Sequence, residues 1–526
     1  MALSIPLHAR ASPAAPEVVI DYPWYAPLAK KAAPPGVKVI AFPYAVDLDS
    51  RRDGVWTTSG DVRRWALSIR VPGASSLAAE LSFTAVPGAK LSAGREILLR
   101  SKQRYVTAHT GTETIMLVMT APARGGDPHL AITGLRIADA PIVPKSSERQ
   151  FESYDCHRTP ENEPNARAVA EIMVGGYAMC SATLINNRAG EDGAARPLLI
   201  TADHCKDPDV EPESSAQNIR VYWRAEVPCG DPRTGDYSAL DVYQSEQSGA
   251  RHVFSVASND IWLVELNGWP REQANAWLAG YDARDQAPQG VVYGIHHGGA
   301  APKQYLSSPK QYVYRNVYRD EQTGNCPYTY CPDLRVDVDT MAEGSIGQSW
   351  QGSSGSGLFS SEHLYLGTLQ GGVHSDDVEY ASYHAIGGAW TVRGLGGVLE
   401  PADPQRRRRD GEQPPFTGEM TLNLTASATL IESGQSVTLS WEAANAQDCV
   451  ADGSWTGAKP LSGSETFSPP TGSYSYSLYC TAPLGGAMTR TVSVDVTEPT
   501  GGGGGLSWTL LALFAGAAAR RRAGKI

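Results

Sequence analysis

The stretch that most constrains this chain is Gln351-Gly352-Ser353-Ser354-Gly355-Ser356-Gly357-Leu358-Phe359. Glycines on either side of a serine let the backbone bend sharply and bring amide N–H groups close to a bound carbonyl, as an oxyanion hole requires. By itself such a run also fits a flexible loop. Two upstream stretches narrow the reading. Leu198-Leu199-Ile200-Thr201-Ala202-Asp203-His204-Cys205 is a short apolar run that reads as a buried strand delivering a histidine at its end. In Ser258-Asn259-Asp260-Ile261-Trp262-Leu263-Val264-Glu265-Leu266 an aspartate enters an apolar strand, where a carboxylate needs a partner, and imidazole Nδ1–H is a suitable one. Alone, His204 would read as a satisfied core residue and Asp260 as a turn cap. Together, His204, Asp260 and Ser354 supply base, orienting acid and nucleophile, in that order along the chain.

At these residues the sequence resembles a known family. Thr201-Ala202-Asp203-His204-Cys205, Asn259-Asp260-Ile261 and Gly352-Ser353-Ser354-Gly355-Ser356 look like the three catalytic blocks of secreted bacterial trypsin-like proteases, particularly the lysyl endopeptidase group. Val221-Tyr222-Trp223, the run from Ala279 to Gln286, and Gly294-Ile295-His296-His297 point the same way. The resemblance implies an all-β fold with a chymotrypsin-like double β-barrel over residues 148–400. It implies hydrolysis of protein or peptide substrates through an acyl-enzyme on Ser354, with the amides of Gly352 and Ser354 as oxyanion hole, and neither cofactor nor metal. Leu369-Gln370-Gly371-Gly372 reads as the strand edge that pairs with the substrate main chain, because glycine leaves room for an extended peptide.

Cleavage after lysine or arginine is expected, and a cationic side chain entering a pocket must meet a carboxylate. The position six before Ser354, where trypsin keeps its pocket aspartate, is Gln348. In the lysyl endopeptidase group the acid comes from the loop after the substrate-pairing strand, which here reads Asp376-Asp377-Val378-Glu379-Tyr380. Asp377 is the expected acid and Asp376 the next candidate. The sequence departs from the group in two places: alignment on Tyr380 puts Val378 at the acidic position, and Gln370 stands where the group has an aromatic-stacking histidine. Ser353 also differs from the pancreatic proteases, in which an aspartate before the nucleophile pairs with a freed N-terminus. No such insertion is expected here.

The length of 526 residues exceeds what one core serves, so two to four units are expected. A net charge of −11 argues against nucleic acid as a partner. Residues 1–19 hold a short apolar run and Ala9-Arg10-Ala11, which fits the end of a signal peptide. Residues 20–147 alternate apolar and polar positions, as in Trp65 to Val71 and Thr114 to Met119, and read as a β-sandwich. In the resembled proteases such a segment is a propeptide that assists folding and restrains the enzyme; a permanently attached accessory domain is the alternative.

Residues 401–418, with Arg406-Arg407-Arg408-Arg409, read as an exposed linker open to proteolysis. Residues 419–497 form short alternating strands that Cys449 and Cys480 can staple into an immunoglobulin-like sandwich. Residues 498–526 join a glycine run, an apolar stretch from Leu506 to Ala519, and Arg520-Arg521-Arg522. They resemble the carboxy-terminal sorting tails of Gram-negative bacteria, inserted transiently in the membrane and cut by a sorting protease.

All eight cysteines lie beyond residue 150. By the family resemblance Cys180 pairs with Cys205 and Cys156 with Cys229. Cys326 and Cys331 enclose a loop suited to a local bridge; a zinc half-site would need a second ligand pair that the spacing does not offer. Even, paired cysteines favour an oxidising compartment, hence a secreted or cell-surface protein of a Gram-negative bacterium; a monomer is expected. Two other classes remain open, an inactive adhesin on a protease fold and an esterase. The triad argues against the first, and the lack of strand–helix alternation between His204 and Ser354 against the second.

Overall fold

A computed structural model describes residues 15–23, 36–94, 96–138, 152–190, 193–230, 246–271, 274–284, 286–315, 334–375, 378–390, 394–414, 420–444, 446, 448–481 and 487–498. The fold is all-β, a chymotrypsin-like double barrel with β-sandwiches before and after it. The alternation read in the first part of the chain does form strands. A sheet carrying Val62–Arg70 and Thr114–Pro122 packs on one carrying Ser76–Thr84 and His129–Ala138, and between them lie Trp65, Leu67, Phe83, Leu117 and Leu135.

The two barrel sheets place the chemistry. In the first, the strand Leu198–Thr201 pairs antiparallel with Ile261–Leu266, Thr201 standing opposite Trp262. The chain leaving Thr201 and the chain entering at Trp262 therefore lie at the same end of the sheet, which brings His204 beside Asp260. The neighbouring strand Ala178–Leu184 is buried at every position. Its Cys180 is bonded to Cys205, tying it to the histidine turn.

In the second sheet, Gly357–Phe359 lies between Val292–His296 and Tyr365–His374, with Ile295 opposite Gly357. Residues just after Ile295 thus lie beside those just before Gly357. That register sets His296 and His297 against the loop that carries Ser354.

The Cys156–Cys229 and Cys449–Cys480 bonds also form, while Cys326 and Cys331 lie outside the described residues. Trp441, Trp455 and the Cys449–Cys480 bond fill the core of the last sandwich. The arginine run departs from the expected free linker. Arg408–Arg409 is a short strand paired with Tyr281–Asp282, and the Arg409 guanidinium meets the buried Glu400 at 2.5 Å. Glu400 lies nine positions before Arg409, and Arg408 meets Glu362 at 2.8 Å. Among the described residues no helix is long and apolar enough to cross a membrane, and the tail from 499 onward lies outside them.

Candidate active site

His204 comes directly after the strand Leu198–Thr201, in a single turn of 3-10 helix, Asp203–Cys205. Its Nδ1 lies 2.7 Å from Asp260 Oδ2, and its backbone N–H donates to Asp260 Oδ1 at 3.0 Å. A carboxylate can only accept, so Nδ1 carries the proton and Nε2 is left with its lone pair in the neutral ring. Asp260 itself has φ 48° and ψ 46°, a left-handed conformation that aspartate tolerates better than most residues. Its burial, at 6% exposure, gives the charge little water and ties it to His204.

Ser354 comes from the other sheet, on a loop bent by two glycines. Gly352 and Gly355 have φ +98° and +85°, and a β-carbon on Gly355 would stand 2.1 Å from Thr201 Oγ1. The Gly352 N–H is aimed into the cleft, where it donates to the carbonyl oxygen of Gly36 at 2.7 Å. Gly36 is the contact that the sequence did not suggest. A β-carbon built on it would lie 2.3 Å from Ser354 Oγ, 3.1 Å from His204 Nε2 and 3.4 Å from the Gln370 carbonyl. Base and nucleophile thus converge on one point, and the chain's own backbone occupies it. His204 Nε2 is buried and makes no hydrogen bond.

The segment continues as Lys38–Val39, paired antiparallel with Met179 and Ala178, and Ile40 N–H donates to the Tyr177 carbonyl at 2.9 Å. Val37 is buried in the same core cluster as Cys180 and Cys205. The sandwich next in the chain is anchored by buried polar contacts. Arg136 donates to the Gly175 carbonyl at 3.0 Å, and Arg220 reaches Glu96 at 2.9 Å and the Val106 carbonyl at 3.0 Å.

The strand Tyr365–His374 bulges between Leu369 and Gly371. A β-carbon on Gly371 would meet only open space, whereas one on Gly372 would lie 2.5 Å from the Tyr380 carbonyl. Asp376 and Asp377 lie outside the described residues. A different carboxylate stands at Gln348: Glu379 accepts from Gln348 Nε2 at 2.7 Å and faces His374 Nδ1 at 3.1 Å. The His374 ring stacks on Trp350 with centroids 4.9 Å apart. Gln370, standing where the resembled group has its stacking histidine, instead takes the His384 ring nitrogen at 2.7 Å. No group of metal-ligating side chains occurs among the described residues.

Residues 150–384 match the family model of the lysyl endopeptidase C-terminal domain. The structure is similar to that of the Rv3671c protease from M. tuberculosis H37Rv in its inactive form, at 14% identity, 46% of this chain, 92% of that chain and a TM-score of 0.29. It is similar also to the thermostable serine protease AL20 from an extremophilic microorganism, at 11% identity, 46% of this chain, 95% of that chain and a TM-score of 0.27. The MamO protease domain from Magnetospirillum magneticum matches at 12% identity over 44% of this chain and 97% of that chain, with a TM-score of 0.25. The family match over residues 150–384 supports a protease.

Proposed function

We propose that the chain is a secreted serine endopeptidase acting through Ser354, His204 and Asp260. The observation that carries this reading is the convergence of Ser354 Oγ, His204 Nε2 and the Gly352 N–H on the Gly36 backbone. His204 Nε2 takes the hydroxyl proton as Ser354 Oγ bonds to the substrate carbonyl carbon, and the carbonyl oxygen becomes an oxyanion held by the amides of Gly352 and Ser354. The protonated His204, steadied by Asp260, gives that proton to the leaving amine, and the acyl-enzyme remains. Water then adds with His204 again as base, and the carboxylic acid product leaves. Replacing Ser354 with alanine should lower peptide hydrolysis by the processed enzyme by several orders of magnitude. Retention of a tenth of wild-type turnover would contradict the assignment.

Cleavage after lysine or arginine is part of the proposal. Glu379, beside Gln348 at the position six before the nucleophile, supplies the carboxylate, with Asp377 and Asp376 on the same loop as rivals. Residues 20–147 are proposed as the restraining propeptide, and the strap around Gly36 is the part that fills the cleft. Its glycine has φ +89°, a conformation that an L-residue entering as substrate would not adopt, so the strap blocks without presenting a side chain to the pocket. An immunoglobulin-like module over 419–497 and a sorting tail over 498–526, with export to the cell surface, complete the proposed organisation. The disulfide bonds fit that oxidising destination.

A further inference from the structure

The loop Gln351–Ser354 must hold the Gly352 amide and Ser354 Oγ in register, and the residue between them is fully buried. Ser353 Oγ accepts from the Trp350 N–H at 2.9 Å, so its own proton points elsewhere. His296 Nδ1 lies 2.9 Å away and also receives the Gly298 N–H at 3.2 Å. Two donors meet at Nδ1, which must therefore carry the lone pair, and the ring proton sits on Nε2. Burial holds His296 neutral, with its pKa pushed down to about 3. Nε2 makes no hydrogen bond of ordinary geometry, although the Gln348 backbone is a favourable neighbour.

A buried ring nitrogen so poorly satisfied destabilises the fold, and an apolar side chain would avoid that cost. The surroundings are built to the same end. A β-carbon on Gly298 would stand 2.8 Å from Ser353 Oγ, and Gly299 N–H donates to the Gln351 carbonyl at 2.6 Å. From the opposite side, Ser181 Oγ donates to the Gly352 carbonyl at 2.9 Å and accepts the His297 N–H at 2.9 Å.

We infer that His296 is a positioning residue for the oxyanion hole: through its neutral hydrogen bond with Ser353 it fixes the Gly352–Ser354 loop in the catalytic shape. The lock is made within the protease domain, by residues 296–299, 350–353 and Ser181, and uses nothing of the strap. The loop is thus assembled in the full-length chain, and release of the strap alone exposes a working site. This inference rests on the serine-protease reading.

The test uses processed enzyme, with rates expressed per active site titrated by an irreversible fluorophosphonate. Ser353→Ala and His296→Phe are expected to lower kcat about 10- to 100-fold, the scale of a misplaced catalytic group, with KM changed less than about threefold. A peptide aldehyde, whose hemiacetal oxygen occupies the oxyanion hole, should lose affinity by a similar factor. His296→Asn should recover most of the loss, because Asn Oδ1 can accept the Ser353 proton where Nδ1 did. Equal losses in His296→Asn and His296→Phe would overturn the inference, as would unchanged aldehyde affinity in both His296→Phe and Ser353→Ala. If Ser353→Ala fails to fold, the His296→Phe and His296→Asn comparison decides. An inactive wild-type enzyme would instead overturn the protease reading itself.

Discussion

Replacing Gly36 with alanine in the full-length chain should release the cleft. Two costs arise at one atom. At φ +89° an alanine pays about 1–2 kcal/mol that glycine does not. Its β-carbon would also stand 2.3 Å from Ser354 Oγ and 3.1 Å from His204 Nε2, well inside contact distance, so the strap must shift. A shift that breaks the 2.7 Å bond from the Gly352 N–H to the Gly36 carbonyl removes about a further 0.5–1.5 kcal/mol. The sum, about 1.5–3.5 kcal/mol, lowers occupancy of the cleft relative to the open state by about 10- to 400-fold. The assay is the rate at which a fluorophosphonate labels the intact chain, with its length verified by mass at each time point. Labelling of intact Gly36→Ala no faster than intact wild type, from a preparation whose processed form is active, would refute the reasoning. The processed forms should not differ, because the strap has left.

Three other outcomes are expected. Glu379→Gln should lower kcat/KM for peptides with lysine or arginine before the scissile bond by about 100-fold while sparing apolar ones, since a buried cation would lose its carboxylate; if only Asp377→Asn does so, the pocket acid is Asp377. His297 is buried and held neutral well below the usual histidine range by desolvation, so the unfolded chain binds a proton below about pH 6.5 that the folded chain refuses. Stability therefore falls with pH in that window, and urea unfolding should show wild type losing about 2 kcal/mol more than His297→Gln between pH 7 and pH 5, with equal losses contradicting the assignment. Asp260→Asn should keep the fold but cost about 10,000-fold in kcat, because the amide can stabilise the wrong His204 tautomer; retention of normal turnover would remove Asp260 from the mechanism.

The three blocks of the proposed site were legible because two lie at strand ends marked by an apolar run and the third is marked by its glycines. Thr201 opposite Trp262 and Ile295 opposite Gly357 turn three distant motifs into neighbours, and the motifs carried their chemistry in local sequence. The sandwich alternation and the Cys449–Cys480 pair were visible for similar local reasons, while the Cys180–Cys205 and Cys156–Cys229 pairings were read from the family resemblance. The strap was not. Pro34-Pro35-Gly36-Val37 has no periodic pattern, and the value of Gly36 depends on what faces it across the cleft. Glu379 stood beside the expected acids, yet its pairing with Gln348 and His374 depends on register across the bulge at Leu369–Gly371. His296 read as part of a family block, while its bond to Ser353 is a long-range contact across 57 positions. Arg408 looked solvated because its partner Glu362 stands far off in the chain, whereas Glu400 lies only nine positions before Arg409 and their pairing depends on how the chain turns between them.

The central claim is that Ser354 is a nucleophile activated by His204 once the strap is gone. The most direct measurement is fluorophosphonate labelling of processed enzyme, then digestion and mapping of the modified peptide. A single adduct on Ser354 is expected in wild type, with labelling slowed by orders of magnitude in His204→Ala and none at that peptide in Ser354→Ala. An unlabelled Ser354 in folded, processed protein, or equal labelling rates in wild type and His204→Ala, would contradict it and favour a binding role for the protease fold.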